Sequence, residues 1–135
     1  SGDSPFWIVA CLLVRWLGND CWKREARLAL IGILVTAAAT FAIKHVVRRR
    51  RPEGDWGAIY RRFDAHSFPS GHSARLTMLA TVAVIFGPPP LAAALVVLAA
   101  LVMLARVAMG VHYLSDVAGG AVLGAIIGMA IAFML

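Results

Sequence analysis

The sequence predicts an all-α, polytopic transmembrane helix bundle, on three observations: its apolar content, the recurrence of apolar stretches, and the gathering of charge at the breaks between them. Hydrophobic residues make up 61% of the 135-residue chain, and the mean hydropathy is +0.80. A soluble domain is ~45–50% apolar. Apolar stretches cover residues 6–17, 26–47, 76–86, 91–108 and 117–135. Roughly 20 helical residues cross a hydrocarbon core, so five crossings are expected in one membrane-embedded domain spanning residues 1–135, with no second domain, internal repeat or low-complexity tract.

The first stretch is short, carries Arg15 and follows a chain start at Ser1 rather than Met. An N-terminal helix that is truncated or missing is expected to account for this. No basic region lies in residues 1–6, so no secretory signal is predicted and insertion falls to the helices themselves. Gly18-Asn19-Asp20 breaks the pattern before the second stretch. Cys11 and Cys21 have neither metal-ligand nor disulfide-framework spacing and read as packing or surface residues.

The second stretch runs into Arg48, Arg49, Arg50 and Arg51 before Pro52. With a net charge of +6, such a run could suggest nucleic acid, but no aromatic platform or nucleic-acid fold accompanies it. Directly after an apolar helix it reads as a cluster at headgroup level meeting lipid phosphates, so membrane lipids and not nucleic acid are the expected partners. Residues 52–69 form the long polar connector, with Trp56, Tyr60, Arg61, Arg62, Asp64 and His66 suited to the membrane interface.

The third stretch can extend back through Ser70, and Gly87-Pro88-Pro89-Pro90 separates it from the fourth. A further break is expected near Gly110. The fifth carries Gly120, Gly124 and Gly128 at steps of four, a stripe that lets another helix approach closely. Packing within the bundle is the expected use, with dimerisation the alternative; the oligomeric state stays open.

If each stretch crosses once, residues 44–51, 70–75, 106 and 112–116 share one face of the bundle. Polar groups near hydrocarbon are costly and commonly line a site, so their convergence predicts function. Lys44 and Arg51 are seven residues apart, two turns if the helix continues to Pro52, which would place them within ~20° of each other around the axis. Both could then meet one anion; alone, they also fit snorkelling side chains. Pro69-Ser70-Gly71-His72 stands at a helix start, where backbone N–H groups and the dipole favour an anion. Ser70 can cap that helix or donate to phosphate, and Gly71 permits a close approach. His72 adds an imidazole suited to proton transfer. His112 and Asp116, four apart, can meet, and an aspartate accepting the Nδ1 proton would leave Nε2 as a nucleophile. The alternative makes Asp116 an N-terminal helix residue favoured by the dipole, with His112 its neighbour.

The ordered set Lys44…Arg51-Pro52, Pro69-Ser70-Gly71-His72 and Arg106…His112…Asp116 resembles the type 2 phosphatidic acid phosphatase superfamily, membrane lipid phosphatase branch, which also includes vanadium haloperoxidases. The resemblance spans residues 44–116. Two departures are visible: Ala105 stands where the family often has serine, and five crossings are counted where the family bundle has six. The resemblance implies that His112 attacks phosphorus and forms a phosphohistidine, that Asp116 orients its ring, and that His72 protonates the leaving oxygen. Lys44, Arg51, Ser70, Gly71 and Arg106 would bind the phosphoryl oxygens. Ser73 and Arg75 lie nearby without an assigned role.

Three cations around one point repel a divalent ion, and the family works without metal, so no metal and no cofactor is expected. The expected substrate is a terminal lipid phosphate, of the phosphatidate, phosphatidylglycerol phosphate or undecaprenyl pyrophosphate type. A non-catalytic lipid-phosphate-binding protein and a vanadate-dependent haloperoxidase are the competing readings. A positive-inside count places the active face in the cytoplasm. Several of its charges are explained by phosphate, however, and many family members act on the outer side, so the expectation is a bacterial inner-membrane protein with a non-cytoplasmic site.

Overall fold

The computed structural model describes residues 4–53 and 64–134, apart from the Cys21 side chain and that of Ser4. Trp56, Tyr60, Arg61 and Arg62 of the polar connector lie outside the described residues. Among the described residues five helices follow in order: α1 (Ser4–Leu17), α2 (Asp20–Val47), α3 (Gly71–Phe86), α4 (Pro89–Ala108) and α5 (Leu114–Met134). The architecture is an all-α bundle, as its sequence predicts.

The punctuation falls where glycine, proline and asparagine place it. Asn19 caps α2, its Oδ1 accepting from the Trp22 N–H at 3.2 Å. Ser70 caps α3. Pro89 and Pro90 open α4, where a missing N–H costs nothing. Gly110 turns the chain into α5 at φ +65°, a left-handed value that suits glycine. The end of α2 departs from expectation. Arg48 adopts the left-handed conformation (φ 50°, ψ 35°) and donates its N–H to the Lys44 carbonyl at 3.0 Å, closing the helix at Val47. Pro52 is therefore not the terminator, and Arg51 does not share a helical face with Lys44. Arg50 instead forms an isolated antiparallel bridge with His66.

α3 is the central helix, packed most extensively against α5 and also touching α4 and α2. The predicted glycine stripe is what admits it. A Cβ on Gly120 would stand 2.5 Å from the Ser70 carbonyl oxygen, one on Gly124 would overlap the Ala74 carbonyl, and one on Gly128 would lie 2.8 Å from the Thr81 Cβ. Packing within the bundle thus accounts for the stripe. Leu28, Ile33, Met78, Leu79, Leu95, Ile127 and Ile131 complete the core, and Cys11 packs partly buried against it.

The outside is as apolar as the inside. Leu34, Leu104, Val122 and Phe133 are 60–86% exposed, an arrangement that water penalises and lipid accepts. α2 from Trp22, α4 and α5 are long and apolar enough to cross a bilayer, whereas α1 and α3, at 14 and 16 residues, are apolar but shorter. The chain is an integral-membrane protein.

Candidate active site

The start of α3 and the start of α5 are joined through their backbones. Ser70 N–H donates to the Asp116 carbonyl at 2.9 Å, so the two segments that carry His72 and His112 meet at the same end of the bundle. The tail of α2 brings Lys44 to that end, and the chain that follows delivers Arg51. A cavity of about 600 Å³ results, lined by Lys44, Arg51, Gly71, His72 and His112 and, along α2 from Lys44, by Ala37, Thr40 and Phe41.

Arg51 organises this cavity. Its guanidinium is almost fully buried and donates from Nη1 to the Val111 carbonyl at 2.9 Å and to His112 Nε2 at 3.1 Å. A ring nitrogen that accepts from arginine is unprotonated, so a neutral His112 carries its proton on Nδ1 and its Nε2 lone pair points to Arg51 in the cavity lining. Burial, then the positive charges of Arg51, Lys44 and Arg106, hold the imidazole down to about 4 against the opposing pull of Asp116. His112 is therefore neutral at physiological pH, the form a nucleophile needs.

Asp116 lies behind His112 with no exposure. Its Oδ2 is 3.7 Å from His112 Nδ1, a contact longer than a hydrogen bond. The carboxylate is engaged elsewhere: Oδ2 accepts from the Tyr113 N–H at 2.8 Å, and Oδ1 from Arg49 Nη1 at 2.9 Å. The tautomer that the sequence attributes to a direct Asp116 bond is here fixed at the opposite nitrogen, by Arg51.

Two further sequence-derived positions sit outside the cavity lining. Ser70 is fully buried and acts as a cap, its Oγ accepting from the Ser73 N–H at 3.5 Å and from the Ser73 hydroxyl at 3.1 Å. Arg106, in the last turn of α4, acts on His112 through its charge. Gly71 does line the cavity, and a Cβ there would meet nothing within 4 Å, so the backbone is open to an oxyanion.

Three residues enter that sequence reasoning did not place. Asp64 pairs with Lys44 and, at 2.9 Å, with Arg51 Nη2, while its backbone carbonyl accepts from Arg51 Nε at 2.8 Å. Burial alone would raise this carboxyl, but the two cations hold it below the ordinary range. Nothing in the polar connector distinguished it from its neighbours. Arg75 lines the cavity and sits one turn beyond His72, a spacing that could have marked it. Arg49, hidden within a run of four arginines, bonds Asp116. Among the described residues, no group of three or more His, Cys, Asp or Glu side chains converges as a metal site would require.

The chain has relatives among known proteins. A family model described as the PAP2 superfamily matches residues 25–135. Two curated proteins from Mycobacterium tuberculosis, of strains CDC 1551 / Oshkosh and ATCC 25618 / H37Rv, are each 40% identical over 106 residues. Both are named decaprenylphosphoryl-5-phosphoribose phosphatase, and the match covers 78% of this chain and 59% of theirs. The chain thus spans about three fifths of the length of these relatives. A crystal structure of a transmembrane PAP2 type phosphatidylglycerolphosphate phosphatase from Bacillus subtilis shares the fold, with a TM-score of 0.77 at 23% identity, over 98% of this chain and 70% of that one.

Proposed function

The chain belongs to the PAP2 superfamily, and from that premise we propose that it is a lipid phosphatase that releases a terminal phosphate through a phosphohistidine. The observation that carries the reading is His112, its Nε2 accepting from Arg51 in a cavity lining that also holds Lys44 and His72. Nε2 attacks phosphorus as the bond to the lipid-side oxygen breaks, and His72 gives that oxygen its proton. Arg51 is already bonded to Nε2, so it is placed to transfer its N–H to a phosphoryl oxygen as the lone pair is spent. Lys44 and Arg106 balance the charge, and the Gly71 N–H supplies a further donor. Water then attacks the phosphohistidine with His72 as base, releasing inorganic phosphate and restoring the imidazole.

The cavity lining also includes Ala37 and Phe41 of α2, apolar side chains suited to the chain of a lipid. The 40% identity to proteins named for a decaprenyl-linked phosphate favours a polyprenyl-linked substrate over phosphatidate, phosphatidylglycerol phosphate or a pyrophosphate. The active face is assigned to the non-cytoplasmic side of a bacterial inner membrane, which access of a membrane-impermeant thiol reagent to a cysteine placed at Glu53 tests.

Phosphate release by the detergent-solubilised chain from a panel of these lipids tests the reaction and ranks the substrates. His112→Ala should lower the rate roughly a thousandfold or more, and the wild type quenched in a single turnover should retain label that is stable to base and labile to acid. Full activity in His112→Ala would end the nucleophile assignment.

A further inference from the structure

Arg49 differs from the arginines on either side of it. Arg48 and Arg50 are exposed, whereas Arg49 turns inward to the start of α5. Its Nη1 donates to Asp116 Oδ1 at 2.9 Å and to the Ser115 hydroxyl at 2.6 Å, and its guanidinium lies over the Tyr113 ring, 4.4 Å from the centroid. Its backbone carbonyl accepts from the Ser67 N–H at 2.9 Å. One residue therefore joins the segment after α2, the approach to α3 and the first turn of α5. It is not part of the cavity lining.

What this does for Asp116 follows from burial. A carboxylate with no exposure is costly unless a charge and hydrogen bonds compensate it. Tyr113 N–H supplies one bond, on Oδ2, and Arg49 supplies the charge, on Oδ1. With both oxygens tied, the carboxylate cannot turn about its Cβ–Cγ bond, and Oδ2 is left facing His112 Nδ1. The Arg49 guanidinium is itself 38% exposed, so it carries the compensating charge without paying for full burial.

We propose that Arg49 is a positioning residue of the phosphatase site: it holds the Asp116 carboxylate in one orientation behind His112, where its charge stabilises the imidazolium that forms as Nε2 attacks, without touching the phosphoryl group. Its kinetic consequence rests on the lipid-phosphatase reading; its structural consequence does not.

The test uses the full detergent-solubilised chain with Arg49→Ala, Arg49→Lys, Asp116→Asn and the Arg49→Ala/Asp116→Asn double variant. Against the best lipid phosphate of the panel, Arg49→Ala should lower kcat about tenfold with KM within about twofold, and Arg49→Lys should recover part of the loss. The double variant should be no slower than Asp116→Asn alone. Arg48→Gln, which removes a charge of the same run, should not reproduce the loss. Nitrogen-15 spectra of labelled histidine supply a readout that needs no turnover: Arg49→Ala and Asp116→Asn should both shift the His112 Nδ1 resonance, while the Nδ1–H tautomer fixed by Arg51 is retained. Losses that multiply in the double variant, a rise in KM in place of a fall in kcat, or an unchanged His112 Nδ1 resonance in Arg49→Ala would each overturn the proposal. If the wild type turns over none of the lipids, the phosphatase reading fails while the spectra still decide Arg49. Should Arg49→Ala not fold, Arg49→Lys and Arg49→Gln carry the same comparison.

Discussion

Where α3 meets α5, backbones touch through glycine; where residues 48–53 meet α5 and the turn before it, the contacts are an ion pair and hydrogen bonds from arginine. The first region carries His72 and is entered through His112, and the second brings Arg49 and Arg51. Packing is short-ranged and intolerant, so the seam sets where His72 and His112 stand. Charge acts over longer distances and accepts small displacements, so Lys44, Arg51 and Asp64 can exchange partners while remaining close. A site proposed to admit a phosphate between its cations has reason to build its two halves by different means.

Gly124→Val tests the packed half and should have the largest effect. The added side chain meets the Ala74 carbonyl, and overpacking of this kind costs about 1–3 kcal/mol or more. Thermal denaturation in detergent should show the loss, and phosphate release should fall with it. A stable, active Gly124→Val protein would mean the seam is softer than its geometry implies.

Arg51→Gln tests the charged half. Loss of a charge-assisted bond should raise KM roughly 10- to 100-fold, and the His112 pKa, depressed to about 4 by burial and by Arg51, should rise. Histidine spectra across pH would show protonation moving upward. The sign also bears on stability. An unfolded imidazole titrates near about 6.5, so between that value and about 4 the unfolded chain binds more protons, and acidification through this window disfavours the fold. Arg51→Gln should narrow the window.

Asp64→Asn should have a smaller effect, of opposite sign. Asp64 is 40% exposed, so its pairs are screened and stability should change by less than about 1 kcal/mol. Lys44 and Arg51 should then hold inorganic phosphate or vanadate several-fold more tightly, read as product inhibition. An unchanged inhibition constant would show that Asp64 does not compete with anions. The smallest effect belongs to the lipid-facing surface, where Leu104, 67% exposed, should tolerate alanine within about 0.5 kcal/mol of wild-type stability.

The two halves were not equally legible in the sequence. Glycine and proline marked the break after α1, the α3–α4 turn and the Gly110 turn, and the four-residue glycine spacing anticipated the seam. The end of α2 was missed because a non-glycine residue, Arg48, takes the left-handed cap, and nothing in a run of four arginines says which one will do so. The same uniformity hid Arg49. Counting crossings and matching motifs brought Lys44, Arg51, His72 and His112 to one face, and the structure gathers them around one cavity. Asp64 escaped because a polar connector has no period from which to read its direction. The Asp116 contact was half legible: a four-residue spacing brings it behind His112, but only the neighbouring donors decide which atoms its oxygens accept from.

The hydrogen bond from Ser70 N–H to the Asp116 carbonyl has a practical consequence. It stitches the two histidine-bearing turns together with main-chain atoms alone, so this link between them does not depend on the imidazole side chains. Variants silenced at His72 or His112 should keep the pocket's shape and serve as faithful traps, able to hold an intact lipid long enough for it to be extracted and identified.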